Sequence, residues 1–283
     1  MPRALIAGVG YVGAATAERL RGSGWKVEGW SRSGGDRQVD IADRGAVVAA
    51  GGEFEVVIHC ASSRGGGPES YRRVYLEGAR NLLEVLRPKR FLFTSSTSVY
   101  AQKDGAWVDE ESPAEPAHET GRILRETEEV VRQNGGVVLR LAGIYGPGRS
   151  ALLRKFLSGE ARIDGDGGRF LNRCHRDDIA AALVLLASDS PNESIYNVCD
   201  NEPITQSSAY EWLARRFDRP RPARAEKAGE RKRGASNKLV SNRRLRALGW
   251  EPAFPDFESG MNAVIPSVLE RIELESKEPV EGL

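Results

Sequence analysis

The first residues that could do chemistry are Gly8, Gly10 and Gly13, which have GxGxxG spacing in the stretch LIAGVGYVGAATAERL. They follow an apolar run that predicts a strand, and they stand at the start of a predicted helix. Glycine permits a tight turn and a close approach of the backbone, and the free N–H groups of a helix N-terminus attract phosphates. The pattern predicts a dinucleotide site that includes Tyr11 and Val12, with a purely structural turn as the alternative.

The second predicted strand, KVEGWS, ends where the adenosine ribose of a dinucleotide would lie. This end is polar and consists of Ser31, Arg32 and Ser33. A guanidinium beside hydroxyl groups suits the 2′-phosphate of NADP better than a bare ribose, so NADP is the predicted cofactor and NAD the alternative. A solvated arginine or a ribose contact from Glu28 are other interpretations. Asp40 and Ile41 follow in VDIAD and are predicted near the adenine, although Asp40 could equally be an ordinary loop carboxylate.

The elements that must position these residues alternate along the first half of the chain, from RALIAGVG to RFLFTSS. Alternation of β-rich runs with helical patterns is typical of βαβ units, in which helices cover both faces of a parallel sheet. A helix is predicted over residues 119 to 133, before a buried strand in GVVLRLAGIYGPG. Later, SALLRKFLSGE and RDDIAAALVLLASD predict helices, and SNRRLRALGW predicts a short helix before a Pro-punctuated tail. The fold class is therefore α/β, with a Rossmann-type doubly wound parallel sheet.

Composition argues against several classes of partner. Lys and Arg number 41 against 40 Asp and Glu, so no long-range field attracts nucleic acid or an anionic membrane. No run of about 18 apolar residues occurs, and the N-terminal apolar run is too short for a signal peptide. Cys60, Cys174 and Cys199 are widely spaced, which favours reduced thiols over a disulfide framework or a zinc site. We expect a cytoplasmic protein with no nucleic-acid, membrane or metal partner.

Several segments, in order along nearly the whole chain, resemble the extended short-chain dehydrogenases/reductases, the NAD(P)-dependent epimerase/dehydratase family. They are VIHCAS, YLEGARNLLEVL, FLFTSSTSVYA, VLRLAGIYGPG, RCHRDDIAAAL, IYNVCD and KLVSNRRLRALGWEP. The resemblance implies a Rossmann-type cofactor domain over residues 1–150, with returning segments near 171–200. It also implies a small C-terminal α/β substrate domain, mainly in residues 151–283, and a cleft between the two parts for a small-molecule substrate. Dimers are common in this family, so a homodimer is expected.

The resemblance also assigns roles to residues that follow the predicted strands. Ala61 and Ser62 would lie beside the cofactor, and Ser95 and Ser96 would border the nicotinamide pocket. Ser96 would in addition hold a carbonyl or hydroxyl group of the substrate. A hydrogen bond from Ser96 to local backbone is the alternative role.

The chain departs from the family at the predicted catalytic helix. Members carry a Tyr and a Lys four residues apart, which places both on one helical face, where the ammonium lowers the pKa of the phenol. In SPAEPAHETGRILRETEE the matching positions are Thr120 and Leu124, and residues 104–144 contain neither Tyr nor Lys. Ala7 likewise replaces the first glycine of the family's usual turn. The chain is therefore identified as an atypical member.

Other residues are candidates for the missing acid–base chemistry. The predicted catalytic residues are Ser96, Thr120 and Tyr100. Tyr100 is four residues beyond Ser96 and could supply a phenol, although an aromatic there more often packs in the core. His118 and Glu119 could face the cleft or serve as cap and surface residues, and His175 in RCHRDD could be a site residue.

Two further features of the sequence each have a functional and a structural interpretation. Arg140 and Tyr145 could border the substrate cleft, although Arg140 could equally be the partner in a buried ion pair. The basic run from Arg215 to Arg233 could clamp a phosphorylated substrate, with a solvated loop as the commoner explanation.

Three functions are compatible with these observations. The first is an NADP-dependent oxidoreductase or epimerase/dehydratase-like enzyme that acts on a polar substrate, which could carry a sugar or a phosphate, with non-standard acid–base residues. The second is a catalytically silent NADP(H)-binding protein that senses redox state for a partner. The third is a Rossmann scaffold that no longer binds nucleotide.

Overall fold

The computed structural model describes residues 1–63, 65–188, 192–225 and 236–277, and within them the chain forms thirteen strands. The strands are β1 (Arg3–Ala7), β2 (Lys26–Ser31), β3 (Arg37–Gln38), β4 (Val56–His59), β5 (Arg90–Ser96), β6 (Trp107–Val108), β7 (Val137–Leu141), β8 (Gly143–Tyr145), β9 (Phe170–Leu171), β10 (Arg173–His175), β11 (Ile195–Val198), β12 (Ile204–Thr205) and β13 (Leu239–Val240). Seven of them form one sheet in the order β11–β7–β5–β4–β1–β2–β3, and every neighbouring pair in it is parallel.

Helices connect and cover these strands. They are α1 (Tyr11–Gly22), α2 (Arg44–Ala50), α3 (Pro68–Tyr71), α4 (Gly78–Leu86), α5 (Glu119–Gln133), α6 (Ala151–Leu157), α7 (Arg176–Ser188), α8 (Gln206–Phe217), α9 (Arg243–Arg246) and α10 (Phe257–Lys277). A π-helical segment, Arg72–Glu77, joins α3 to α4, and a 3₁₀ turn, Thr97–Val99, follows β5. Helices α1 and α7 pack against each other, while α5 packs against the π-helical segment and α4. The predicted Rossmann-type α/β fold is confirmed.

Apolar composition explains why the sheet is central. Every residue of β4 and β7 is buried, as expected for parallel strands that are covered on both faces. Buried apolar side chains form two separate clusters. The first surrounds the seven-stranded sheet and extends from Ala4 to Trp250. The second gathers α6, α8 and α10 around residues such as Leu153, Leu213 and Met261.

Two details of the secondary structure differ from the prediction. The prediction of a Pro-punctuated tail without a helix is wrong for residues 257–277. These residues form α10, which contains Pro266. Met261, Val264 and Val268 are buried in the second cluster, and this packing outweighs the hydrogen bond that Pro266 cannot donate. The single strand predicted in GVVLRLAGIYGPG is two strands. Only β7 belongs to the main sheet, because β8 pairs with β10 instead.

Within the four described ranges, no helix combines the length and the apolar character needed to cross a bilayer.

Candidate functional site

The glycine turn between β1 and α1 is held by contacts that exclude side chains at two of its three glycines. Gly8 has φ of +104°, and a Cβ atom on it would lie 2.3 Å from the backbone nitrogen of Ala61, just beyond β4. A Cβ atom on Gly13 would lie 2.1 Å from the carbonyl oxygen of Gly8. These two glycines therefore allow α1 to begin directly over the carboxyl ends of β1 and β4.

Gly10 differs from its neighbours because it faces open space. A Cβ atom on Gly10 would meet no atom within 4 Å, and φ of Gly10 is −91°, which any residue adopts. Gly10 is also the N-cap of α1, and no side chain caps the helix there. The first backbone N–H groups of α1 thus have no helical acceptor and no side-chain cap, which is the arrangement that suits a diphosphate.

Tyr11 links the glycine turn to the segment after β8. Its hydroxyl group donates to the carbonyl oxygen of Pro147 at 3.1 Å, and the guanidinium groups of Arg149 and Arg176 lie 5.0 and 5.1 Å from its ring centroid. Burial raises the pKa of Tyr11 to about 12, although both arginines lower it. Sequence reasoning missed Arg149 and Arg176, since only folding brings residues so distant in sequence to the mouth of α1.

The end of β2 carries the residues predicted to recognise NADP. Arg32 and Ser33 are exposed, and the hydroxyl group of Ser31 donates to the carbonyl oxygen of Gly34 at 2.8 Å. Glu28 lies in mid-strand opposite Leu5 and accepts from the indole N–H of Trp30 at 2.8 Å. Its carboxylate is therefore engaged away from the carboxyl end of β2, which argues against a ribose contact from Glu28.

Asp40 and Ile41, predicted near the adenine, have protein contacts of their own. Asp40 forms an ion pair with Arg73 and accepts a hydrogen bond from the backbone N–H of Ala42 at 3.1 Å. Ile41 is buried, and its side chain lies against Gly78 of α4. These contacts fix the loop after β3 against the helix that begins at Gly78.

The end of β4 brings Ala61 and Ser62 beside the glycine turn. Gly8 touches the backbone of Ala61, and the hydroxyl group of Tyr75 lies 3.4 Å from that of Ser62. Tyr75 stands on the π-helical segment, and its ring stacks on His59 with 6.4 Å between centroids. A π-helical turn redirects side chains and often marks a functional position. Here it directs Tyr75 towards the predicted cofactor edge.

His59 is buried among aromatic rings and should make stability depend on pH. Its Nε2 atom lies 3.1 Å from the carbonyl oxygen of Val74, its Nδ1 atom has no partner, and burial lowers its pKa to about 4. Because the unfolded imidazole has a pKa of about 6.5, the unfolded state gains the proton first as the pH falls. We expect His59 to reduce the free energy of unfolding by about 2 kcal/mol between pH 6.5 and pH 4.5.

The measurement is urea unfolding across this range for the wild type and for His59→Asn. Other groups titrate in both proteins, so the quantity of interest is the difference between the two pH profiles. Parallel profiles would contradict a neutral, buried His59.

Ser96 ends β5, and its hydroxyl oxygen accepts a hydrogen bond from the backbone N–H of Ser98 at 3.1 Å. The 3₁₀ turn that follows packs beside α5. On α5, Thr120 is half-buried and Leu124 is buried, and His118 is exposed at the N-cap without a side-chain cap bond. Helix α5 therefore lies where it was predicted. Its aliphatic Leu124 stands at the position that the resemblance matches to the family's lysine.

Ser95 and Tyr100 belong to a buried network instead of the cleft. The hydroxyl group of Ser95 donates to Glu128 Oε1 at 2.6 Å, and Arg140 pairs with Glu128 Oε2 through Nη2 at 2.7 Å. Arg140 Nη1 also donates to the hydroxyl oxygen of Tyr100 at 2.8 Å, and that hydroxyl group donates to Asn197 Oδ1 at 2.9 Å. Burial raises the pKa of Tyr100, whose side chain is fully enclosed. The network joins α5, β5, β7 and β11, so Arg140 is a buried ion-pair partner.

The Tyr100 hydroxyl group is buried with two protein partners, which argues against a role as a catalytic phenol. The hydroxyl group of Ser95 is likewise engaged by Glu128, which argues against a contact with the cofactor. Two other predicted catalytic residues lie on elements that pack against each other. Ser96 is at the end of β5, and Thr120 is at the start of α5.

His175 and Tyr145 are also enclosed. The Nδ1 atom of His175 accepts from the backbone N–H of Asp177 at 3.2 Å, and its ring lies 4.0 Å from that of Phe254. Burial lowers the pKa of His175 and raises that of Tyr145. A Cβ atom on Gly260 would lie 1.7 Å from the Tyr145 hydroxyl oxygen, so this phenol points at α10. The side chains of both residues are thus buried against other parts of the protein.

The basic run from Arg215 to Arg233 falls partly outside the described residues, which stop at 225 and resume at 236. Among the residues that the structure does describe, no group of three or more His, Cys, Asp or Glu side chains is arranged to hold a metal ion.

Comparisons with known proteins agree with this geometry. The sequence model of the NAD dependent epimerase/dehydratase family matches residues 4–199. Protein YeeZ of Escherichia coli (strain K12) is 29% identical over 282 residues, which cover 90% of this chain and 97% of YeeZ. A solved protein from Methylobacillus flagellatus, named provisionally as an NAD-dependent epimerase/dehydratase, is 31% identical, with a TM-score of 0.76 over 95% of this chain and 99% of that chain. Human epimerase family protein SDR39U1 (isoform 2), solved with NADPH, is 19% identical and shares the fold, with a TM-score of 0.79 over 93% of this chain and 99% of that chain.

Proposed function

Because the chain belongs to the NAD dependent epimerase/dehydratase family, we propose that it binds a nicotinamide dinucleotide at its glycine turn and acts as an oxidoreductase or epimerase-like enzyme on a small polar substrate. The observation that carries this proposal is the open face of Gly10 at the uncapped N-terminus of α1. A diphosphate fits there because the backbone is bare of side chains and presents free N–H donors. Gly8 and Gly13 keep the turn tight enough for this approach.

NADP is the proposed cofactor. Arg32 is exposed at the end of β2 and, within the described part of the chain, has no ion-pair partner. Two carboxylates lie four residues from Arg32, and both are engaged. Asp36 accepts from the backbone N–H of Gly29 at 2.7 Å and pairs with Arg21 at 3.3 Å, and Glu28 accepts from the indole N–H of Trp30 at 2.8 Å. An available guanidinium and engaged carboxylates favour a ribose that carries a 2′-phosphate.

Arg149 and Arg176 are proposed as further cofactor contacts. They flank Tyr11 beside the glycine turn, where their charges would complement a diphosphate. The positive charge of Arg176 is partly compensated by Asp177, whose Oδ1 accepts a hydrogen bond from the Arg176 Nε–H at 2.8 Å. Arg149 is exposed and carries no such ion pair within the described ranges.

The chemistry proposed for the chain's own residues is modest. When bound, the nicotinamide supplies hydride transfer, so the protein has to orient it and polarise a substrate oxygen. The Ser96 oxygen accepts from Ser98 N–H, which leaves the Ser96 hydroxyl hydrogen to donate to a substrate carbonyl. Thr120 adds a second hydroxyl group at the start of α5. Proton transfer would then pass to water or to the exposed His118, since neither hydroxyl titrates near neutrality.

A second candidate is a catalytically silent NADP(H)-binding protein whose occupancy is read by a partner. The buried Leu124 favours it, because an aliphatic group cannot bind a ribose hydroxyl or lower the pKa of a phenol. The measurement that separates the two candidates is NADPH oxidation with a panel of phosphorylated and unphosphorylated carbonyl compounds. Turnover that falls with Ser96→Ala supports the enzyme, and tight NADPH binding without oxidation of NADPH by any compound supports the silent protein.

Replacing Arg32 tests the cofactor assignment. We expect Arg32→Gln to weaken NADPH binding by about tenfold and to leave NADH binding unchanged, because only NADPH offers a phosphate to the guanidinium. The measurement is the fluorescence of the bound dihydronicotinamide during titration with each cofactor. Arg44→Gln is the control, since Arg44 is an exposed arginine that pairs with Glu84. Equal losses for NADPH and NADH would contradict the assignment.

A further inference from the structure

The order of the strands determines the path of a dinucleotide across the sheet. The proposed site for the adenosine ribose is at the end of β2, and the proposed diphosphate site is between β1 and α1. The next strands in that direction are β4 and β5, and neighbouring strands lie about 5 Å apart. A dinucleotide that crosses the glycine turn from β2 therefore places its second ribose over the carboxyl end of β4 and its nicotinamide towards β5.

Tyr75 brings a phenol to the carboxyl end of β4. Its ring stacks on that of His59, the last residue of β4, and its hydroxyl group lies 3.4 Å from the hydroxyl group of Ser62. The same ring also contacts Phe93 of β5, with 6.2 Å between the centroids. Tyr75 is thus held over the ends of β4 and β5, where the second ribose would lie.

The π-helical segment Arg72–Glu77 places Tyr75 next to helix α5, against which the segment packs. A π-helical turn is rare, and it often occurs at functional positions. On α5, Leu124 is buried and aliphatic, so it cannot form a hydrogen bond with a ribose. A hydroxyl group on the neighbouring π-helical segment can form this bond.

Tyr75 is the tyrosine whose hydroxyl group remains available for a ligand. The chain has seven tyrosines, and all of them lie in the described ranges. The hydroxyl group of Tyr11 donates to the carbonyl oxygen of Pro147 at 3.1 Å. Tyr75 is half-buried, and within the described ranges its hydroxyl group has only the Ser62 hydroxyl group as a partner, at a distance longer than an ordinary O–H···O bond. The other five are buried: Tyr71, Tyr100, Tyr145, Tyr196 and Tyr210.

We propose that the hydroxyl groups of Tyr75 and Ser62 together bind the ribose in the nicotinamide half of the cofactor. Each of them can both donate and accept a hydrogen bond, and at 3.4 Å apart they are close enough to contact the two adjacent hydroxyl groups of one ribose. Fixing this ribose would orient the nicotinamide beside Ser96 at the end of β5. The inference deepens the proposed function and rests on it for the presence of a dinucleotide.

The experiment compares whole dinucleotides with fragments that lack the nicotinamide half. NADPH is paired with adenosine 2′,5′-bisphosphate, and NADH is paired with ADP, so the result does not depend on the assignment of NADP. Calorimetric titrations of the full chain measure the affinity for each of the four nucleotides. The variants are Tyr75→Phe and Ser62→Ala, with circular dichroism and urea unfolding as checks on folding. The control is Tyr196→Phe, since Tyr196 is on β11 at the far edge of the sheet and its hydroxyl oxygen accepts from the backbone N–H of Glu193 at 3.1 Å.

We expect Tyr75→Phe to weaken the binding of the dinucleotides by about tenfold and to leave the binding of the fragments unchanged, because the fragments carry no second ribose. Ser62→Ala should show the same pattern with a smaller loss, and Tyr196→Phe should bind all four nucleotides as the wild type does. Equal losses for a dinucleotide and its fragment would show that Tyr75 only supports the fold, and this result would overturn the inference. Unchanged dinucleotide binding by the folded Tyr75→Phe protein would also overturn it and would leave the proposed function intact. Wild-type protein that binds none of the four nucleotides would instead overturn the proposed function, and the inference with it.

Discussion

Replacement of Gly10 by Asp is expected to weaken the binding of NADPH and NADH by about a hundredfold or more. The new carboxylate would stand at the mouth of α1, where it would take the free N–H groups as an N-cap and repel the diphosphate. The free energy of unfolding should change by less than about 0.5 kcal/mol, because φ of Gly10 is −91° and its Cβ atom would meet nothing within 4 Å. Titration of both cofactors and urea unfolding measure the two effects separately.

Two controls make this result specific. Gly22→Asp introduces the same charge at the other end of α1, where a Cβ atom also meets nothing within 4 Å, and should leave cofactor affinity unchanged. Gly10→Ala adds a methyl group without charge and should have an intermediate effect. Gly13 is unsuitable for this purpose, because a Cβ atom there would collide with the backbone of Gly8. Normal cofactor binding by Gly10→Asp would show that the glycine turn is structural.

Replacement of Arg140 by Met is expected to lower the free energy of unfolding by about 3–5 kcal/mol. Arg140 and Glu128 are both fully buried, and they share hydrogen bonds of 2.7 Å and 3.1 Å. Without the guanidinium, the carboxylate of Glu128 would keep the Ser95 hydroxyl group and the partly exposed Arg125 as partners, which do not replace a buried charge. Urea unfolding with a constant m-value would measure the loss.

The matched control is Arg125→Met, which removes the other arginine from the same carboxylate. Because Arg125 is about one-third exposed, we expect this change to cost less than about 1 kcal/mol. The double variant Glu128→Leu with Arg140→Met should recover most of the stability, since no buried charge would remain unpaired. A loss for Arg140→Met as small as that for Arg125→Met would contradict a structural ion pair. Cofactor affinity of the folded Arg140→Met protein should be unchanged, because the pair is fully buried.

Much of the site could be predicted from local sequence. The GxGxxG spacing after an apolar run predicted the turn, because the strand, the three glycines and the start of the helix are adjacent in sequence. The helix predicted over residues 119 to 133 is observed at Glu119–Gln133, since its apolar period and polar flanks are local signals. The absence of Tyr and Lys from residues 104–144 was equally visible, because residue types are read directly from the sequence.

Local patterns failed where a residue's role depends on a distant partner. Tyr100 and Ser95 stand near a sheet end and could have faced a substrate, yet both hydroxyl groups turn towards the Glu128–Arg140 pair. Pro266 signalled a break, but burial of the residues around it keeps α10 helical.

The sequence by itself determined the doubly wound α/β fold, the glycine turn and the absence of Tyr and Lys from residues 104–144, because hydrophobic period, glycine spacing and residue type are local properties. Only the tertiary structure decided which polar side chains are available. It enclosed Tyr100 and Arg140 and left Arg32 exposed. The physical reason is that burial and pairing are set by residues far apart in sequence, and these two factors determine whether a charge stabilises the fold or remains free for a ligand.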